Sequence, residues 1–459
     1  MVVKKLPLFG RKSLKSYSVN RQKNICIFIG FMCIPAFLIS THYDEPFSWT
    51  YGAIGILCLL FGYFINSWEK KENMHIDPLF IMTFTWVSMS FISSIPLWVV
   101  SKDFPLSYFD TVSQITSTGT TIPYYQNYSS TSLNFWRSFL CCVGGIYSII
   151  IIFSKTETDT EMESSFALCI ICYFSLTLLC ILFEKMCGLS WLDASNHGMR
   201  IASLSFYDTN LHDNTTLSFI KETSSAMLII SWIAFSCFHV QQKRQFLKQN
   251  IFSGKLLLVA SFFLVTIIML RISHPPTEIN KNTVLTTLMW ITGAGVDLQN
   301  IRYWSPVTIM LLAIVTCLYK NETNEAGITL QNLKSLRNTA RKEVRTCLHP
   351  NSIIDIPRSY KTPPQHLILN LSLYGLAILT IGILLNFSGQ SLSTAILLTL
   401  TSLNNLGISC NEFFLSSQTI TAQQATLLTI AMWLGKIGFV RIFIGLTKGF
   451  SRRHTKKSY

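Results

Sequence analysis

The sequence predicts an all-α polytopic membrane protein in which two N-terminal helices precede a unit repeated four times. Three observations carry that reading: scarce charge, long apolar runs, and a recurring interruption of those runs. Of 459 residues, 49% are hydrophobic and only 13% are Asp, Glu, Lys or Arg. A soluble domain carries about 25% charge, so this chain has too little to cover a water-facing surface. The net charge of +14 fits a nucleic-acid binder or a membrane protein, and the placement of the charges separates the two.

A membrane-spanning helix needs about 20 mostly apolar residues. Runs of that kind fall at 25–41, 49–66, 79–100, 133–153, 166–183, 217–239, 255–270, 303–319, 366–386 and 420–447. The first follows a basic segment, as a signal peptide would, but no small-residue cleavage site follows it, and it reads as an uncleaved span. Positive charge collects on the cytoplasmic side of membrane proteins. The tail 1–24 holds seven Lys and Arg and no acid, and the tail 448–459 holds five more. Two further basic segments, Lys243 to Lys255 and 320–365, fall on the same face when ten spans are counted. Both termini are therefore expected inside. No aromatic-interleaved basic motif accompanies the patches, so they read as topology determinants and as lipid or partner contacts.

From the third span onward, one pattern recurs in the connections on the outer side. A span ends, a short apolar piece follows, then a Thr/Ser/Asn–Gly cluster, then another span. The pieces are Phe109 to Gly119, Trp191 to Ser205, Val284 to Gly293 and Leu392 to Gly407. The cluster centres Gly119, Ser205, Gly293 and Gly407 lie 86, 88 and 114 residues apart, the last interval lengthened by 320–365. The organisation expected is a basic tail 1–24, two extra helices in 25–78, and repeats at 79–153, 166–239 and 255–319. The basic segment 320–365, a fourth repeat at 366–447 and the tail 448–459 complete it.

Each unit reads as helix, re-entrant half-helix with loop, helix. Irregular backbone at membrane depth is tolerated only where it is buried or lines a water-filled cavity. Four such loops meeting on one axis would form a pseudo-fourfold pore. A half-helix entering from outside aims its negative C-terminal end at the centre, which favours a cation. Backbone carbonyls then replace the water around a monovalent ion, and Gly permits the angles that this requires.

At these clusters the chain resembles the Trk/Ktr/HKT superfamily of potassium transporters, and its TrkH type in particular. Ile115-Thr116-Ser117-Thr118-Gly119-Thr120-Thr121 looks like the family's Thr-Thr-Thr-Gly signature, followed by Phe135-Trp136-Arg137-Ser138 and Val143-Gly144-Gly145. Asp193 to Met199, Leu403-Asn404-Asn405-Leu406-Gly407 and His349-Pro350-Asn351 also match, over nearly the whole chain. The two extra spans favour the TrkH type over the shorter Ktr type. The resemblance implies potassium uptake, no enzyme chemistry, a homodimer in a bacterial inner membrane, and a cytoplasmic ring of TrkA-like nucleotide-binding subunits. The chain has no Gly-rich phosphate-binding loop and no cofactor site of its own, so nucleotide would act through that partner, with K⁺ as the transported ion.

Carried over by position, the resemblance places coordinating carbonyls on Ser117, Thr118 and Gly119; Ser203, Leu204 and Ser205; Ile291, Thr292 and Gly293; and Asn405, Leu406 and Gly407. Lys436, in Trp433-Leu434-Gly435-Lys436-Ile437-Gly438, occupies the place of the family's usual Arg in the final helix. A cation near mid-membrane is costly and usually functional, and Lys436 is expected to act as an electrostatic barrier to flux. Snorkelling to the surface suits Arg441 better.

Three departures stand out. Ser205 occupies the place expected for the second filter glycine, and related plant transporters with one such Ser, at a different repeat, lean towards sodium. The third cluster has lost the threonines before its Gly. The glycine-rich gate expected near Cys317 reads Cys317 to Gly327 with a single Gly. These open two alternatives: a sodium-permeable or poorly selective transporter, or a non-conducting homologue with a structural or regulatory role. The 13 Cys lie mostly within apolar runs without zinc spacing and read as small packing residues. His197 reads as a packing or capping residue of the second half-helix.

Overall fold

The computed structural model describes residues 9–70, 78–120, 130–153, 160–205, 227–231, 233–234, 292–295, 364–407 and 420–439. Among these every regular element is a helix. The expected spans 255–270 and 303–319, most of 217–239, the segment 317–327, all of 320–365 but its last two residues, and both tail ends lie outside the described residues.

Two helices open the fold, α1 (Phe9–His42) and α2 (Trp49–Lys70). They form a hairpin in which Gly30 and Gly55 face one another at close range. A broken span follows as α3 (Pro78–Ser93) and α4 (Ile95–Ser101). Pro96 lacks an N–H and disrupts the ladder there, and the Trp136 indole donates to the Ser93 carbonyl at 3.1 Å. Next come α5 (Phe104–Ile115), α6 (Thr131–Phe153), α7 (Thr160–Met186) and α8 (Trp191–Ala202). Past the undescribed stretch stand α9 (Pro364–Phe387), α10 (Leu392–Leu403) and α11 (Ala422–Ile437).

Among the described residues, five helical stretches are long and apolar enough to cross a membrane: Lys23–His42, Met82–Ser101, Thr131–Ile151, Ser165–Met186 and Ile368–Phe387. The α6 stretch is 89% buried within the protein, whereas those of α7 and α9 are 28% buried. α6 is thus the central helix. The outer faces of α2, α7 and α9 present Ile56, Ile171 and Leu379 with no protein cover, the pattern of helices solvated by lipid rather than water.

Three helices are only 12 residues long: α5, α8 and α10. At 1.5 Å per residue each reaches about 18 Å, too short for a hydrocarbon core of about 30 Å. Their starts are encoded locally by side-chain caps. Asp103 accepts from the Leu106 N–H at 3.2 Å, Ser190 from Asp193 at 3.1 Å and Ser391 from Thr394 at 3.3 Å.

The short helices pack in a cyclic order. α6 contacts α5, which precedes it, and α8, the next short helix. α11 contacts α10, which precedes it, and then α5. α11 therefore stands to α5 as α6 stands to α8. Glu45, between α1 and α2, accepts from the Ser132 N–H (3.2 Å) and hydroxyl, and the Tyr51 hydroxyl bonds Ser132 at 3.0 Å. That clamp fixes the N-terminal hairpin to the start of α6.

Candidate ion pathway

The three short helices stop in the same way. At each C-terminus, one residue past the cap adopts a left-handed angle: Ser117 (φ 59°), Leu204 (φ 53°) and Asn405 (φ 51°). Their N–H groups donate three residues back, to Gln114, Ile201 and Ser402. The next N–H groups, of Thr118, Ser205 and Leu406, donate five residues back to Ser113, Arg200 and Thr401 at 2.9, 3.1 and 2.8 Å. This is the Schellman stop, which normally carries Gly at the left-handed position. A side chain there costs roughly 1–2 kcal/mol, and three such costs at equivalent positions mark a shape that the fold imposes on its sequence.

These turns fix a register that residue types alone do not. Gly119 and Gly407 each lie two residues past the left-handed position. In the second loop that count reaches Phe206 rather than Ser205, and Ser203 is the helix cap, equivalent to Thr116 and Asn404. In the third, Gly293 (φ 80°) and Gly295 (φ 139°) repeat the positive angles of Ser117 and Gly119 (φ 77°). Of the expected set Ser203, Leu204 and Ser205, Ser203 caps α8, Leu204 takes the left-handed angle and Ser205 follows it, while Phe206 lies outside the described residues. Of the expected set Ile291, Thr292 and Gly293, the last takes the positive angle and Ile291 lies outside the described residues. Ser117, Thr118 and Gly119 and Asn405, Leu406 and Gly407 stand at matching positions after their helix stops. The expected sets align the clusters on Gly and Ser identity; counting from the helix stops instead moves loop two by one residue and loop three by two.

Loops one and four meet. The Thr118 hydroxyl donates to the Asn405 side-chain oxygen at 3.3 Å, and Thr116 and Thr118 share a bond of 2.7 Å. The Tyr374 hydroxyl, from α9, donates to Asn404 at 3.1 Å. Two glycines allow the flanking helices to reach these turns. A Cβ on Gly144 of α6 would lie 2.6 Å from Ser117 Oγ and closer to the Ile115 carbonyl oxygen. One on Gly435 of α11 would lie 2.7 Å from the Leu403 carbonyl carbon and closer still to its oxygen.

Behind loop one lies a buried polar network. Arg137 of α6 grips Asp110 of α5 through two bonds, Nε–Oδ2 at 2.8 Å and Nη2–Oδ1 at 2.6 Å. Gln114 donates weakly to Asp110 and to the Thr120 carbonyl, each at 3.4 Å. Ser113 donates to that carbonyl at 3.0 Å, and the Cys141 thiol to Gln114 Oε1 at 2.9 Å. Such bidentate pairs are geometrically demanding, so the network holds α5 and its loop at one angle to α6.

Lys436 is buried, and its ammonium donates to Ser148 Oγ of α6 at 2.8 Å. The expected run 420–447 is not one straight helix, because α11 ends at Ile437 and Gly438 (φ 91°, ψ 139°) breaks it. Those angles lie outside the range of L side chains. The break places Lys436 in a last helical turn, where exposed carbonyls favour a cation. His197 of α8 lies 3.8 Å from Glu184 of α7, both shielded from solvent. Asp110, Arg200, Ser148 and Glu184 were not among the expected site residues. Their only signal in the sequence is polarity within an apolar context.

Three 12-residue helices, each capped at its start, are thus stopped by the same left-handed turn. The computed structure superimposes on the potassium transporter TrkH from Vibrio parahaemolyticus with a TM-score of 0.74, at 17% identity, covering 95% of this chain and 98% of that one. The chain has the TrkH fold. Its sequence is 22% identical to the Trk system potassium uptake protein TrkH of V. parahaemolyticus over 93% of the chain and 97% of the relative. It is 20% identical to TrkG of Escherichia coli K12, over 91% and 94%. It is 21% identical to an uncharacterized cation transporter of Methanocaldococcus jannaschii, over 91% and 92%. No protein-family model matches the chain. The chain is a divergent homologue of the TrkH and TrkG proteins.

Proposed function

We propose that this chain is the ion-translocating subunit of a Trk-type potassium uptake system rather than an enzyme. The observation that carries the reading is the shared stop of α5, α8 and α10, with loops one and four bonded through Thr118 and Asn405. The cyclic packing, in which α11 meets α5 as α6 meets α8, supports closure of four repeats into a ring. The negative ends of the half-helices then face a common axis and favour a cation. Carbonyls of Ser117–Gly119, Leu204–Phe206, Gly293–Gly295 and Asn405–Gly407 replace its hydration water. Lys436, next to Gly435, stands beyond the filter as a fixed positive barrier whose reach is limited by Ser148. The names of the relatives, potassium uptake proteins and a cation transporter, support the same substrate class.

The pathway operates in a bacterial inner membrane with both basic tails inside, in a homodimer joined on its basic face by TrkA-like nucleotide-binding subunits. A second reading, a poorly selective cation transporter, is favoured by one feature: Phe206 stands in the chain position of Gly119 and Gly407. Expression in a bacterium lacking its own potassium uptake tests both readings. Growth at low K⁺ is the result expected of the first, and growth lost in the presence of excess Na⁺ would favour the second. No rescue, with the chain present in the membrane, would count against transport.

A further inference from the structure

The last turns of the three described half-helices differ in one charged residue. α5 and α10 have no basic residue in the last turn, whereas α8 has Arg200 there. The Schellman bonds make Arg200 equivalent to Ser113 and Thr401, since each of the three carbonyls receives the five-back N–H of its turn. Arg200 is buried at 8% exposure, and its Nε donates to Ser138 Oγ of α6 at 3.0 Å. A guanidinium keeps its charge in any protein environment, and a buried one at membrane depth is costly. The C-terminal end of a short helix is equivalent to about half a negative charge, concentrated within its last turn. A guanidinium in that turn offsets the field that α5 and α10 offer to a cation.

We propose that Arg200 is a specificity-determining residue which neutralises the second half-helix and weakens cation binding at its loop. The pathway is then electrostatically lopsided, with loops one and four attracting the ion and loop two withholding attraction. This rests on the ion-pathway reading above. Its consequence is a transporter with a higher half-saturating K⁺ concentration than a chain with a small polar residue at this position.

Purified full-length chain in proteoliposomes, with rubidium-86 uptake measured against external K⁺, tests it alongside K⁺-dependent thermal stabilisation in detergent. Arg200→Ser and Arg200→Gln are expected to lower the half-saturating concentration by roughly three- to tenfold. Arg200→Lys is expected to retain the wild-type value. Gln preserves a donor towards Ser138, so it separates charge from bracing if the Ser variant is unstable. Saturation and stabilisation curves of Arg200→Gln that superimpose on wild type, while all proteins transport rubidium, would overturn the role of Arg200 alone. Weakening in the Ser, Gln and Lys variants alike would also overturn it and make Arg200 a brace. Neither uptake nor K⁺-dependent stabilisation in any protein would overturn the pathway reading itself.

Discussion

Replacing Gly435 by Ala tests the contact that seats the last helix against loop four. The added Cβ would meet the Leu403 carbonyl carbon at 2.7 Å, with the oxygen nearer and Asn405 Nδ2 at 3.2 Å. An ordinary contact at this range begins near 3.4 Å, so α11 and the end of α10 must part by at least about 0.7 Å. Backbone on both sides leaves no flexible side chain to yield. Overpacking a well-filled interior costs about 1–3 kcal/mol, occasionally more, and the upper end applies here. The shift also acts on Asn405, whose side chain accepts the Thr118 bond joining two loops. Gly375 in α9 supplies the control, since a Cβ there meets nothing within 4 Å. Thermal unfolding of the detergent-solubilised variants and their rubidium uptake are the assays. Gly435→Ala is expected to unfold well below wild type and to lose most uptake, whereas Gly375→Ala stays near wild type in both. Equal stability and uptake in the two variants would refute the seating argument.

Other outcomes follow from the same geometry. Asp110→Asn removes one half of a buried bidentate pair and should cost about 3–5 kcal/mol in detergent unfolding; a double change of Asp110 and Arg137 to Leu should cost less than the single change. Lys436→Ala should raise rubidium flux and Lys436→Arg should not, as read by uptake rates at equal protein density. The register counted from the helix stops predicts that Phe206→Gly shifts the K⁺ over Na⁺ preference of uptake, while Ser205→Gly alone leaves it near wild type. The opposite order would restore the alignment based on residue identity.

The fold class was legible because lipid imposes length: a run such as 366–386 has to be helical and long, and α9 is both. The starts of the second and fourth half-helices were legible too, at Trp191 and Leu392 behind the caps Ser190 and Ser391, whereas the first piece, expected from Phe109, starts at Phe104. The half-helix ends were not legible. A Schellman stop normally announces itself by Gly, and here Ser117, Leu204 and Asn405 take that place, so alignment on Gly and counting from the stops differ by one residue in loop two and two in loop three. The Asp110–Arg137 pair joins residues 27 apart on different helices, a proximity that no local pattern encodes. The break at Gly438 was hidden because its flanks are as apolar as the helix it ends. Lys436 was singled out correctly as a buried cation in the final helix, but its partner on α6 depends on tertiary packing alone.

The central claim is that a cation passes through this chain. The most direct measurement is rubidium-86 uptake into proteoliposomes holding the purified chain, alone and with a TrkA-like nucleotide-binding subunit. The structure predicts uptake above protein-free vesicles that saturates and is competed by K⁺. Uptake no greater than in protein-free vesicles, with the protein folded, correctly inserted and its regulatory subunit bound, would contradict it.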